Sequence, residues 1–196
     1  MSGSWVVLAV AAALGFFVGA VNPATIIATV RHVDLRQGSG NPGATNVGRV
    51  LGLRWGVLVG LIDVCKGLFP TLLALWLVDR LTAYVVGLAA VLGHVLSPFL
   101  RGRGGKGVAT SMGAVLALYP PWFSLGLLAF FALMLWRTRW VAGSSIAAGG
   151  LLLIYAGLAP MEDPVVAGRM WGICVAMLVI VRHRANVRAW ARRRLA

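Results

Sequence analysis

The sequence predicts an all-α integral membrane protein of about seven transmembrane helices, and three observations carry that prediction. Apolar residues make up 60% of the 196-residue chain, and the mean hydropathy is +0.88. Charged residues are only 12%, about half of the roughly 25% found in soluble domains. Apolar runs near the ~20 residues that cross a bilayer as helix recur along the chain, and most cations fall between the runs or at the C-terminus. The 18 Lys and Arg against 5 Asp and Glu give a formal charge of +13. In a soluble protein that excess would suggest nucleic acid. Here topology and anionic lipid headgroups account for it, and the basic loops lack the interleaved aromatics of a base-stacking surface, so no nucleic-acid partner is expected. Cys65 and Cys174 lie in apolar surroundings, which implies neither a disulfide framework nor a metal site.

The first run, 5–30, has no Lys or Arg ahead of it, so it lacks the positive n-region of a signal peptide and is expected to be a retained span. Spans follow at 55–78 and 81–100. The next run, 107–136, contains Tyr119-Pro120-Pro121, whose two prolines remove donors and disfavour helix in the residue before each. It is divided into 107–119 and 121–136, two short helices suited to a shallow or tilted hairpin. The last spans are 140–160 and 165–181. With the N-terminus outside and seven crossings, the cytoplasmic side receives Arg31, Arg36, Arg49 and Arg54, then Arg101, Arg103 and Lys106, then Arg137 and Arg139, then six tail arginines. That is fifteen of the 18 cations, as the positive-inside rule requires. A single crossing over 107–136 would place the tail outside. The whole chain, 1–196, is expected to form one polytopic domain without an evident internal repeat.

Inside the second span, Asp63 and Lys66 are spaced i, i+3 on one helical face, where they can pair. An intramembrane charge is a functional pointer by default, and a structural ion pair that fixes helix packing near the site is the favoured role.

Three segments on the expected cytoplasmic side hold polar groups that packing does not require. Gly38-Ser39-Gly40-Asn41-Pro42-Gly43-Ala44-Thr45-Asn46, followed by Arg49, has the composition of a tight turn that presents donors to an anion and leads into a helix N-terminus. Gly93-His94 and Ser97-Pro98 precede Arg101-Gly102-Arg103-Gly104-Gly105-Lys106-Gly107, where glycines permit close backbone N–H approach and the cations neutralise what they enclose. Arg182-His183-Arg184-Ala185-Asn186 ends the last span, and His183 and Asn186 would share a helical face at i, i+3.

Spacing excludes several familiar chemistries. Lys106 is followed by Gly107, which breaks a Walker A pattern, and no Gly-x-Ser-x-Gly elbow occurs. No histidine has an aspartate five positions on: His32, His94 and His183 meet Gln37, Phe99 and Arg188. Five carboxylates, with Asp79, Glu162 and Asp163 in loops expected outside, do not furnish a metal site. Cations and donors with neither an obvious base nor a metal suit a substrate that is itself an activated phosphate compound.

Together the three segments, in order and spacing, resemble the cytoplasmic motifs of the bacterial acyl-phosphate:glycerol-3-phosphate acyltransferase family, the PlsY type. The resemblance covers nearly the whole chain, including Asp63-x-x-Lys66-Gly67. It implies a seven-helix enzyme of the bacterial cytoplasmic membrane, active site facing the cytoplasm. Such an enzyme moves a fatty acyl group from acyl phosphate to the sn-1 hydroxyl of glycerol 3-phosphate and releases phosphate and lysophosphatidic acid, the first acylation of phospholipid synthesis. No cofactor is implied, and a separate soluble phosphate acyltransferase would supply the acyl phosphate.

Matching motif positions assigns Ser39, Arg49 and Lys106 to glycerol 3-phosphate, with Asn186 orienting its hydroxyls. Asn41, Gly43, Thr45, Asn46, Gly104, Gly105, Gly107 and His183 are assigned to the acyl phosphate, and His94, Asp63 and Lys66 to supporting positions. Lys106, His183 and Asn186 are the expected catalytic residues. A mixed anhydride has a good leaving group, so positioning and charge stabilisation suffice without a covalent enzyme intermediate. Either His183 or the acyl phosphate's own oxygens take the hydroxyl proton; Arg182 and Arg184 beside His183 favour the second. The competing class is a transporter of a phosphorylated metabolite, which would need polar residues at depth through the spans. Apart from Asp63 and Lys66 the spans are nearly free of charge.

Overall fold

The computed structural model describes the backbone of residues 2–195 and the side chains of residues 4–192. The tail side chains of Arg193 and Arg194, counted among the inside cations, lie outside the described residues. Among the described residues ten α-helices form two compact units, divided between Leu118 and Tyr119, and no strand occurs. Among the described residues, six helical runs are long and apolar enough to cross a membrane.

The first unit contains α1 (Ser2–Ala20), α2 (Pro23–Val30), α3 (Ala44–Leu51), α4 (Leu53–Leu77), α5 (Arg80–Val95) and α6 (Val108–Leu118). The first expected span is therefore interrupted at Val21-Asn22. Pro23 has no N–H and is tolerated only in a first turn, and the Asn22 side chain accepts from Thr25 N at 2.9 Å, which starts α2. The carbonyls freed by the break find donors elsewhere. Ser97 Oγ donates to Ala20 O at 2.7 Å and Lys66 Nζ to Val21 O at 2.8 Å.

Helix α1 packs on α5, and α4 on α6. Both contacts run over glycine. A Cβ on Gly19 would strike the Ala90 carbonyl and one on Gly93 the Phe16 carbonyl; Gly67 and Gly113 lie equally close to the Thr110 and Val64 carbonyls. Lipid supplies no hydrophobic drive between helices, so such backbone-to-backbone packing holds them. Helix α5 ends earlier than the expected span, because Ser97 precedes Pro98 and is pushed out of helical conformation; a short 3-10 turn, Pro98–Leu100, follows.

The second unit contains α7 (Pro121–Thr138), α8 (Val141–Leu158), α9 (Val165–Arg182) and α10 (Arg184–Leu195). The break expected at the two prolines is present: Pro120 is the N-cap of α7 and Pro121 its first residue. Helix α6 has 11 residues, short as expected, whereas α7 has 18 and runs past the expected end at 136. The Phe123 and Tyr155 rings stack with centroids 3.6 Å apart, and the Tyr119 hydroxyl donates to Gly168 O at 3.1 Å. Arg169 donates to Gly157 O and Ala159 O, satisfying carbonyls at the C-terminus of α8. Trp190 of α10 stacks on Trp140 at 4.9 Å.

Candidate active site

The segment Gly38–Asn46 is a closed loop whose clasp is Asn46. That residue sits in the first turn of α3, is 1% exposed, accepts the Ser39 N–H on Oδ1 at 2.7 Å and donates through Nδ2 to Leu35 O at 2.8 Å. Gly38 must be glycine for the same reason, since a Cβ there would run into the Asn46 carboxamide oxygen. The clasp leaves Ser39, Thr45 and Arg49 exposed, with Asn41 and Gly43 half-buried beside them. Geometry thus gives Asn46 the task of positioning Ser39.

The glycine-rich loop is built differently from the anion cradle its composition suggests. Gly104 N donates to Val95 O and Gly105 N to His94 O, each at 3.1 Å, so these N–H groups cap the last turn of α5. The glycines are needed by packing. A Cβ on Gly104 would collide with the His94 carbonyl, and one on Gly105 with the His94 imidazole. Gly107 has φ +83°, the left-handed region, and turns the chain into α6. Lys106 is half-buried one residue ahead of that turn.

Asp63 and Lys66 pair as expected, at 2.9 Å, and the partner the sequence does not reveal is His94, whose Nδ1 lies 3.4 Å from the same carboxylate oxygen. The three residues are 2%, 7% and 3% exposed. A continuous set of contacts follows. The Gly105 backbone rests on the His94 ring, His94 faces Asp63, Asp63 holds Lys66, and Lys66 holds Val21 O. From the next residue, Asn22 Nδ2 donates to Pro42 O at 3.0 Å, inside the first motif. Both motif loops of this unit are therefore moored at the break between α1 and α2. Asn22 was missed at the sequence level; the signal was Asn22-Pro23, a capping residue before a proline inside an apolar run.

The third segment lies in the second unit. His183 is the C-cap of α9, 1% exposed, with Nδ1 2.8 Å from Val179 O. A carbonyl can only accept, so Nδ1 carries a proton, and in the neutral ring Nε2 is an acceptor. Asn186, half-buried in the first turn of α10, donates its N–H to His183 O at 2.9 Å. The i, i+3 pair thus spans the junction between α9 and α10.

Known proteins share this architecture. The glycerol-3-phosphate acyltransferase family matches over residues 9–193. The glycerol-3-phosphate acyltransferase of Geobacter sulfurreducens is 42% identical over 180 residues, covering 90% of this chain and 90% of that protein. That of Aquifex aeolicus is 38% identical over 177 residues, covering 88% of this chain and 89% of the other. The crystal structure of PlsY (YgiH), an integral membrane glycerol 3-phosphate acyltransferase, superposes in its glycerol 3-phosphate form with a TM-score of 0.88 at 34% identity, covering 95% of this chain and 93% of that one. Its lysophosphatidic acid form gives 0.85. The all-helical fold, the apolar helices and the extent of these matches make the chain an integral membrane acyltransferase belonging to the glycerol-3-phosphate acyltransferase family.

Proposed function

We propose that this enzyme takes its acyl group from acyl phosphate and delivers it to the sn-1 hydroxyl of glycerol 3-phosphate, at the cytoplasmic face of a bacterial cell membrane crossed seven times. The observation that carries the proposal is the mooring of two cation-bearing motif loops to one point, the Val21-Asn22 break, through Pro42 on one side and the Lys66–Asp63–His94 set on the other. Fixed loops hold two phosphates in a set relation, and holding is what a mixed anhydride needs. Ser39, Arg49 and Lys106 take the glycerol phosphate and Asn186 orients its hydroxyls. Asn41, Gly43, Thr45 and His183 face the acyl phosphate, while Asn46, Gly104, Gly105 and Gly107 shape the loops around it. The sn-1 oxygen attacks the acyl carbon, the acyl carbon–oxygen bond to phosphorus breaks, and phosphate leaves with the electron pair and takes up the hydroxyl proton. Product ester and hydrogen phosphate balance the step. A soluble phosphate acyltransferase fits as the source of the donor.

The test is phosphate release by detergent-purified enzyme given palmitoyl phosphate and glycerol 3-phosphate, with palmitoyl-CoA as parallel donor and Lys106→Ala as control. Release is expected to require glycerol 3-phosphate, to fail with the CoA donor, and to fall by at least about a hundredfold in the variant. Equal turnover with palmitoyl-CoA would overturn the choice of donor.

Proton transfer to the substrate's own oxygen makes a separate prediction. His183→Gln keeps a donor that can reach Val179 O but has no titrating base. It is expected to retain most of kcat across pH 6 to 9. A loss of several orders of magnitude, with the pH dependence abolished, would make His183 the base.

A further inference from the structure

A cationic cavity lies at the start of α4, beside α3 but lined by none of the residues assigned to the reaction. It has a volume of about 380 Å³ and is lined by Arg31, Arg54, Trp55 and Leu58. Arg31 ends α2 and Arg54 is the second residue of α4, so the two guanidinium groups come from the ends of two apolar helical runs that meet at one level of the protein. The Arg31 guanidinium carbon lies 5.2 Å from the centroid of the Trp55 ring, a cation–π contact that fixes one wall. Neither arginine has a carboxylate partner among the described residues, and the one acidic side chain nearby in sequence, Asp34, is held by Arg36 at 2.9 Å. The N-terminus of the 25-residue α4 adds positive potential beside Arg54, because its N-cap, Gly52, offers no side-chain acceptor.

We propose that this cavity binds the headgroup phosphate of an anionic bilayer phospholipid. Two features favour a lipid over a free anion. Polarity is graded along α4: Arg54 is followed one turn deeper by Leu58, which is 42% exposed, and then by Leu61 at 58% and Phe69 at 56%, exposed apolar side chains on which an acyl chain can lie below the phosphate. Trp55 lies at the start of the run, where an amphipathic ring marks the headgroup level. Selectivity for net negative charge follows from the lining. A zwitterionic headgroup would bring its ammonium against two guanidinium groups, and the aromatic face that could receive it is already covered by Arg31.

The site uses none of the residues assigned to the reaction, so it is testable apart from catalysis. Full-length protein would be released from micelles containing phosphatidylglycerol or phosphatidylcholine and its bound lipid measured by native mass spectrometry, beside an Arg31→Gln/Arg54→Gln variant whose turnover in lipid-free detergent reports that it is folded. Wild type is expected to retain phosphatidylglycerol in preference to phosphatidylcholine, and the variant to bind it about thirtyfold less tightly. Equal retention of the two lipids, or unchanged retention by the variant, would overturn the proposal. Millimolar inorganic phosphate should leave the bound lipid in place; displacement would assign the cavity to a soluble anion instead.

Discussion

Gly104→Ala is expected to abolish turnover in every background, whereas Gly105→Ala should be relieved by trimming one side chain. The two positions are neighbours with the same wild-type residue, but different atoms crowd them. At Gly104 the obstacle is the backbone carbonyl of His94, which no substitution removes; at Gly105 the three nearest atoms all belong to the His94 ring. A methyl group at either position must push the loop, and Lys106 with it, by a large fraction of an ångström. Displacements on the order of 1 Å at a positioning loop cost about a hundredfold in rate. The check is a double-mutant cycle on kcat/KM for glycerol 3-phosphate. Gly105→Ala combined with His94→Ala should be no worse than His94→Ala alone. Additive losses would mean that Gly105 must be small for the substrate and not for His94.

The second large effect is expected at the buried pair. Asp63→Asn removes the partner of an ammonium that is 7% exposed, and breaking such a pair from one side costs about 3–5 kcal/mol. Replacing both members, as Asp63→Leu with Lys66→Met, removes the unpaired charge and should restore most of the thermal stability in detergent. Turnover should stay low in that double variant, because His94 has lost the carboxylate 3.4 Å from its Nδ1 and the glycine loop has lost its support. Recovery of full kcat together with stability would show that the pair serves packing only.

Much of this site was legible in the residue string. The three polar segments stood out because a membrane helix has no use for their glycines, amides and cations, and Asp63 and Lys66 stood out because charge is costly inside a span. The interruption of the first span was not recognised. Asn22-Pro23 is a short signal within a run of apolar residues, and its consequence depends on distant donors, Ser97 and Lys66, reaching the freed carbonyls. The glycine loop was assigned the right residue types for a different reason. Composition says that a backbone can approach something closely; only the neighbouring α5 shows that what Gly104 and Gly105 approach is His94.

Sequence alone determined the membrane class, the all-helical character and the break at Tyr119-Pro120-Pro121, because hydropathy and proline act locally along the chain. Tertiary structure decided that Asn46 clasps Ser39, that His94 completes the Asp63–Lys66 pair, and that both loops of the first unit are anchored at Val21-Asn22. Those relations join residues far apart in sequence through hydrogen bonds and steric contacts of a few ångströms, and no local pattern encodes which distant partner will fill an unsatisfied carbonyl or carboxylate.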